Sequence, residues 1–136
     1  MKAVDFFRDD KFASGTGIEI KVARKGYCEC VLNVEKKHLN AGGYTQGGAL
    51  FTLGDFTAAV AANCYGKLTV SLNSNIHFFR PSGEGDVLTA IAKEIFVHKQ
   101  VPSYEVNIYN QNNEHIAVLS GNMYVKDVTI NIECED

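Results

Sequence analysis

One carboxylate stands alone in the middle of the sequence. Asp55 is the only acidic residue between Glu35 and Glu84, and it lies in an apolar, alanine-rich stretch. An isolated buried carboxylate is costly unless it is paired or hydrogen-bonded, and Asp is a middling residue for a helix interior. We therefore interpret Asp55 as a general base or nucleophile in a partly desolvated site. The alternative is a structural Asp that caps a loop or bonds a nearby Tyr or Thr.

A Gln-Gly-Gly sequence precedes this carboxylate at what reads as the start of a helix. The first turn of a helix leaves backbone N–H groups without intrahelical partners, and glycines let a ligand approach them closely. Gln46, Gly47 and Gly48 could therefore bind phosphate or an oxyanion. The alternative is that the two glycines only ease helix packing. Together with Asp55, they suggest an oxyanion donor and a base on one helix.

The stretch that carries these residues predicts a buried helix. Residues 47–64 are apolar around most of the helical circumference, and a helix that is apolar all round is buried. Asn63 and Gly66 are typical of a helix end. Two strand-like runs precede the helix and four follow it, at residues 16–23, 27–34, 68–79, 87–97, 104–110 and 115–125. One helix among about six strands predicts an α+β fold, in which a mostly antiparallel sheet wraps around the helix.

Length and composition limit the class of protein. The 136 residues, 46% of them hydrophobic, predict one domain spanning residues 1–136. The net charge of −3 argues against nucleic-acid binding. The sequence has no apolar run of the roughly 18 residues that a membrane span needs, and its charged beginning does not resemble a signal peptide. We expect a cytoplasmic protein that binds neither nucleic acid nor membrane.

The four cysteines favour the same compartment. Cys28 and Cys30 are two residues apart in a strand-like run, so their side chains should face the same side. Cys64 and Cys134 are isolated in the sequence. No cysteine or histidine pair has zinc spacing. We expect four thiols, buried or on the surface, and neither a metal nor a redox cofactor.

Two longer segments resemble a known family. Residues 38–55 (HLNAGGYTQGGALFTLGD) and 70–81 (VSLNSNIHFFRP) resemble the signature of hotdog-fold acyl-CoA thioesterases, closest to their phenylacetate-degradation (PaaI-like) branch. The resemblance extends from about Gly15 to Val125. It implies a hotdog fold, an antiparallel sheet around a central helix, and hydrolysis of an acyl-CoA to a free acid and CoA.

The resemblance also implies roles for individual residues. Asp55 matches the acid that activates water or attacks the thioester carbon, and Gly47 matches the residue whose amide polarises the thioester carbonyl. Asn40 matches a polar residue of the same pocket, and Ser71 resembles a hydroxyl that helps to hold the attacking water. Ser71 could equally be an ordinary strand serine.

Gln46 departs from the family pattern, in which this position is a His. Gln can donate a hydrogen bond to a carbonyl but cannot change its charge near neutral pH. The departure leaves open a protein that binds acyl-CoA without hydrolysing it. A dehydratase or hydratase acting on 3-hydroxyacyl thioesters is less favoured, since it usually needs a His near the acid, and His38 is the only one close to the motif.

Two basic residues are candidates for contacts with CoA phosphates. Arg80 follows a long strand-like run, and Lys99 lies where relatives often carry basic residues near the nucleotide. Either could instead be an ordinary surface charge.

The spacing of Gly47 and Asp55 predicts a shared site. Eight residues of helix span ~12 Å, whereas an oxyanion donor and an attacking group must both lie about 3 Å from one thioester group. If both residues act at one site, they come from different chains. We therefore expect a homodimer, or a dimer of dimers, with two equivalent sites.

Overall fold

The computed structural model describes residues 1–135. Three α-helices, one short 3-10 helix (Lys36–His38) and six strands make up its regular structure: α1 (Ala3–Phe7), α2 (Lys11–Thr16), β1 (Glu19–Arg24), β2 (Tyr27–Asn33), α3 (Gly47–Asn63), β3 (Lys67–Phe78), β4 (Val87–Phe96), β5 (Ser103–Tyr109) and β6 (His115–Thr129). In this range no helix combines the length and apolar character needed to cross a membrane. The predicted helix and all six predicted strands are present, with ends that differ by up to four residues.

The six strands form one sheet in the order β1-β2-β4-β5-β6-β3, and every pair of neighbours is antiparallel. The side chains of β2, β4 and β5 alternate between buried and partly exposed positions for much of their length, as expected when one face of a sheet covers a core. That face packs against α3. The mostly antiparallel sheet around a central helix is therefore confirmed.

Close packing holds α3 against the sheet. Leu50, Leu53, Phe56 and Val60 are buried beneath the strands. A Cβ atom added at Gly54 would lie 3.1 Å from Leu119 Cδ1 and 3.3 Å from its Cβ, so glycine lets the helix approach β6. The central helix thus packs closely against the sheet.

The end of α3 is tied to the start of β3. The Asn63 side chain is buried, and its Nδ2 donates to the Ala59 carbonyl at 2.8 Å and to the Thr69 carbonyl at 3.1 Å. Its Oδ1 accepts from the Thr69 amide at 2.9 Å. Gly66 adopts the positive φ of 91° that the turn requires. The two residues predicted to end the helix also set the path of the next strand.

One prediction about the cysteines is wrong. Cys64 and Cys134 form a disulfide, with their Cα atoms 5.8 Å apart. The C-terminal segment returns to the sheet edge, where Glu133 pairs with Lys2 and Glu135 pairs with Arg24, and this brings Cys134 to the end of α3. The two cysteines are 70 residues apart in the sequence, so no local pattern indicated the bridge.

The other two cysteines are free thiols, as predicted. Cys28 and Cys30 are fully buried on β2, and their sulfur atoms lie 3.6 Å apart. The hydrogen bond with Cys30, together with burial, raises the pKa of the Cys28 thiol. Cys28 therefore stays protonated at neutral pH.

Candidate active site

The predicted carboxylate pairs with a strand serine. Asp55 lies near the middle of α3 and is partly exposed. Its Oδ1 accepts a hydrogen bond of 2.8 Å from Ser71 Oγ on β3. Among residues 1–135, no group donates to its other oxygen. Asp55 can thus accept a proton or attack an electrophile through Oδ2 while Ser71 holds the carboxylate in place.

An irregularity in β3 accompanies this serine. The pairing of β3 with β6 shifts register between Ser71 and Asn73, and such irregularities often redirect side chains near active sites. Just beyond the shift β6 carries Gly121, which pairs with Ser74, and an added Cβ there would lie 2.0 Å from the Asn73 carbonyl oxygen. Only glycine permits the close approach of the two backbones. A glycine inside a strand is the sequence signal that could have revealed this irregularity.

The first turn of α3 leaves one amide without an acceptor. The Gly48 amide donates to the Gln46 side chain, and the amides of Ala49 and Leu50 donate to the Gln46 carbonyl. Within the described part of the chain, the Gly47 amide makes no such bond. It is the remaining donor at the positive end of the helix dipole and is suited to stabilise an oxyanion.

Both glycines have steric reasons to lack a side chain. A Cβ at Gly47 would lie 3.1 Å from Phe78 Cζ, and a Cβ at Gly48 would lie 2.6 Å from Gln46 Oε1. Because Gln46 Oε1 caps the helix, its Nε2 is left to donate to a ligand. A Gln can therefore both cap the helix and contact a carbonyl at this position.

Asn40 organises the loop before the helix. Its Oδ1 accepts from the amides of Gly42 at 2.9 Å and Tyr44 at 3.1 Å, and its own amide donates to the Tyr44 carbonyl at 2.7 Å. Its side chain is exposed, which leaves the Nδ2 group to meet a ligand. Asn40 thus shapes the loop that leads to Gln46.

His38 is held in a structural role. It is buried; Nδ1 accepts from the Glu35 amide at 2.9 Å, and Nε2 lies 2.7 Å from the Thr16 carbonyl oxygen. A carbonyl only accepts, so Nε2 carries the proton and both ring nitrogens are engaged. His38 therefore has no nitrogen left for proton transfer.

The two predicted cations lie on the surface in different places. Arg80 follows β3 and lies 3.8 Å from Glu114 as a solvent-exposed ion pair, which adds little stability. Lys99 is exposed in the connection between β4 and β5, on the rim of a cavity beyond the end of α3. Neither contacts Asp55 in its own protomer.

The structure brings Asp55 together with Ser71, and Gly47 together with Gln46, but it does not bring these two groups together within one chain. Gly47 and Asp55 lie eight residues apart on the same helix, which corresponds to ~12 Å.

Comparisons with known proteins agree with this architecture. The family model described as "Thioesterase superfamily" matches residues 42–117, which include Gly47, Asp55 and Ser71. A putative esterase from Archaeoglobus fulgidus is 31% identical over 118 residues, covering 87% of this chain and 77% of that protein. The acyl-coenzyme A thioesterase PaaI of Escherichia coli is 33% identical over 115 residues, covering 85% and 82%.

Solved structures show the same fold. The E. coli PaaI protein from the phenylacetic acid degradation operon superposes with a TM-score of 0.91 at 32% identity, covering 96% of this chain and 94% of that chain. A hypothetical thioesterase from Streptococcus pneumoniae, solved with coenzyme A, gives a TM-score of 0.85 at 26% identity, covering 91% and 99%. The fold is the hotdog fold, as the sequence resemblance implied.

Proposed function

The chain belongs to the thioesterase superfamily, a family of enzymes that hydrolyse thioesters, and we propose that its substrate is an acyl-CoA and that Asp55 and the Gly47 amide carry out the reaction. The observation that carries the proposal is the Asp55–Ser71 hydrogen bond of 2.8 Å on the helix whose first amide has no acceptor within residues 1–135. The coenzyme A-bound relative supports the substrate class.

The geometry supports a direct mechanism. The Gly47 amide donates to the thioester oxygen and stabilises the negative charge that develops there. Asp55 takes a proton from water as the water attacks the carbonyl carbon, and the Ser71 oxygen accepts a hydrogen bond from the same water. The tetrahedral intermediate then collapses as its C–S bond breaks, and the protonated Asp55 returns its proton to the departing CoA sulfur. The products are free CoA and the acid, and Asp55 is a carboxylate again. Direct attack by Asp55 is the other possible route, and it would pass through an acyl-enzyme anhydride.

Surfaces on α3 and β3 support a site shared between two protomers. Gly48, Thr52, Asp55 and Ala59 form a stripe along α3 that the sheet of the same chain does not cover completely. The strand β3 forms an edge of the sheet and exposes apolar side chains such as Leu72, whose exposed fraction is 57%. A long apolar edge is normally covered by another element or another chain. A second copy that packs its α3 antiparallel would bring its Gly47 to Asp55 of the first.

The remaining site residues would bind and orient the substrate. In the shared site, Gln46 Nε2 and Asn40 lie on the partner that contributes Gly47 and can donate to the thioester carbonyl or the pantetheine amides. Arg80 follows β3 beyond Phe78, which lies against Gly47, and is our first candidate to contact the CoA phosphates. Lys99 is the second candidate, and its contribution should appear as a raised KM in Lys99→Ala.

An assay of free-thiol release from a panel of acyl-CoAs tests the proposal. We expect Asp55→Asn to keep the fold and lose roughly 10²–10⁴ in kcat, because the change preserves shape and removes the base. Ser71→Ala should lose roughly 10- to 100-fold, because a hydrogen bond to a charged group is removed. Ser120→Ala, on the neighbouring β6, is the matched control. A folded wild-type protein that releases no thiol from any acyl-CoA would contradict the proposal.

The same assay, combined with a measurement of acyl-CoA binding and with product analysis, separates the alternatives. Binding of acyl-CoA without thiol release would indicate a non-catalytic binding protein, the possibility raised by Gln46. A product that retains its thioester would indicate a hydratase, which is disfavoured because both nitrogens of His38 are engaged. The two routes of attack are separated by a single turnover in water labelled with heavy oxygen. The Asp55 carboxylate can take up the label only if the reaction passes through the anhydride.

A further inference from the structure

A cavity of about 410 Å³ lies beside the start of α3. Gln46 and Gly48, the two neighbours of Gly47 in the chain, line this cavity together with Ala49 and Thr52. The cavity therefore adjoins the amide that we assign to the thioester carbonyl. Along α3, the lining from Gly48 to Thr52 extends over ~6 Å, at the rise of a helix.

The other side chains on the lining include two apolar ones that come from outside α3. Phe12 of α2 lines the cavity, and 74% of this residue is exposed to solvent. Leu39, which directly follows the 3-10 helix, is the second. A phenyl ring with this much exposure is stabilised when an apolar group covers it. Together with Ala49, these residues give the cavity an apolar surface.

The two hydroxyl groups on the lining donate to carbonyls of their own helices. Thr16 Oγ1 donates to the Phe12 carbonyl at 2.9 Å, and Thr52 Oγ1 donates to the Gly48 carbonyl at 2.8 Å. A hydroxyl has one proton to donate. Neither threonine therefore has a donor left for a ligand.

The two basic side chains on the lining also have partners within the chain. Both ring nitrogens of His38 are engaged in the hydrogen bonds that fix its structural role. Lys37 Nζ donates to the Gly15 carbonyl at 3.2 Å and lies 3.8 Å from a carboxylate oxygen of Glu35, which offsets its charge. Gln46 Nε2 remains as a neutral donor at the end of the cavity that adjoins the catalytic amide.

The two substituents of a thioester leave its carbonyl carbon in different directions. Phe78 of β3 lies against Gly47, and Arg80, our first candidate for the CoA phosphates, follows the same strand. The cavity is lined by α2 and α3 instead. The pantetheine arm of CoA carries amides that need polar partners, whereas an alkyl chain needs an apolar surface. The cavity therefore suits the acyl group better than the CoA arm.

The length of the lining limits the length of the chain. An extended chain spans about 1.2 Å per bond, so ~6 Å of helix corresponds to roughly five bonds beyond the carbonyl carbon. We propose that the cavity between α2 and α3 binds the acyl group, that it fits an aliphatic chain of about six carbons, and that Phe12 is a specificity-determining residue. The assignment rests on the thioesterase function proposed above.

The test compares acetyl-CoA, hexanoyl-CoA and dodecanoyl-CoA in the assay of free-thiol release. A fully buried methylene raises affinity by about fourfold, so we expect the wild-type kcat/KM for hexanoyl-CoA to exceed that for acetyl-CoA by about tenfold or more. Dodecanoyl-CoA should be no better than hexanoyl-CoA, because its additional methylenes extend beyond the lining.

Two substitutions on the lining should change this preference. Phe12→Ala removes the ring that the chain covers, so the ratio of kcat/KM for hexanoyl-CoA to that for acetyl-CoA should fall by about three- to tenfold. The value for acetyl-CoA itself should change little, because the acetyl group is too short to depend on the ring. Ala49→Leu places a larger side chain on the lining and should lower the same ratio.

Phe96→Ala is the matched control. Phe96 lies at the end of β4, is 56% exposed and does not line the cavity. Its substitution should leave the ratio of hexanoyl-CoA to acetyl-CoA unchanged. The control thus separates the loss of a cavity wall from a general effect of removing an exposed phenyl ring.

The outcomes distinguish this assignment from the proposed function. Thiol release with the same ratio in wild type and Phe12→Ala would overturn the acyl subsite and leave the thioesterase function standing. An equal loss for acetyl-CoA and hexanoyl-CoA in that variant would indicate that the cavity holds the CoA arm, which also overturns the assignment. No thiol release from any substrate would overturn both. If Ala49→Leu does not fold, Phe12→Ala decides alone, since its exposed ring contributes little to the core.

Discussion

Two inactive variants should restore activity when they are combined in one dimer. Gly47 and Asp55 are separated by ~12 Å of helix, while the donor and the attacking group must each lie about 3 Å from the same thioester. Gly47→Pro removes the amide proton at a helix start, where proline is tolerated, and Asp55→Ala removes the base. Each homodimer should therefore be inactive. A heterodimer contains one intact site and one doubly altered site, so we expect half of the wild-type turnover per dimer.

The assay uses co-expressed chains with two different affinity tags, purified in sequence and tested for thiol release. Gly47→Ala is the matched control, because it adds a Cβ 3.1 Å from the exposed ring of Phe78 but keeps the amide proton. It should retain measurable turnover, which separates the loss of the donor from the effect of bulk. Verified heterodimers that are no more active than the two parent homodimers would refute the shared site. Wild-type turnover in Gly47→Pro alone would refute the role of the amide.

Three further substitutions test the surroundings of the site. Gln46→His should fold and be as active as wild type or more so, since His can also donate to a carbonyl; a large loss of kcat/KM in a folded variant would show a specialised role for Gln. Gly121→Ala should lower the free energy of unfolding by about 3 kcal/mol or more in thermal melts, because its Cβ would lie 2.0 Å from the Asn73 oxygen. The control Gly15→Ala, whose Cβ meets nothing within 4 Å, should leave stability unchanged or raise it, and equal melting temperatures for the two variants would contradict the packing argument. Cys134→Ser should lower the free energy of unfolding by about 2–4 kcal/mol, because the disulfide closes a loop of 70 residues; unchanged denaturation with and without reductant would contradict that expectation.

The sequence by itself determined the elements of the fold and the chemistry that they could carry. Runs rich in β-branched and aromatic residues predicted all six strands, and the apolar stretch over residues 47–64 predicted α3 to within one residue. The solitary Asp55 and the glycines at the helix start identified a possible base and oxyanion donor. These features could be predicted because they depend on local patterns of burial, on turn chemistry and on the cost of an unpaired carboxylate.

The tertiary structure decided which groups meet, because such contacts join residues far apart in the chain. Ser71 reaches Asp55 from β3, beside the strand irregularity between Ser71 and Asn73, and Cys134 reaches Cys64 only because the C-terminal segment pairs at the sheet edge. Tyr65, in the turn after α3, and Tyr104, on β5, both donate hydrogen bonds to Glu94 on β4, and no spacing in the sequence brings the three together. The sequence therefore determined which reactive groups are present, while the packing of the sheet around α3 decided their partners.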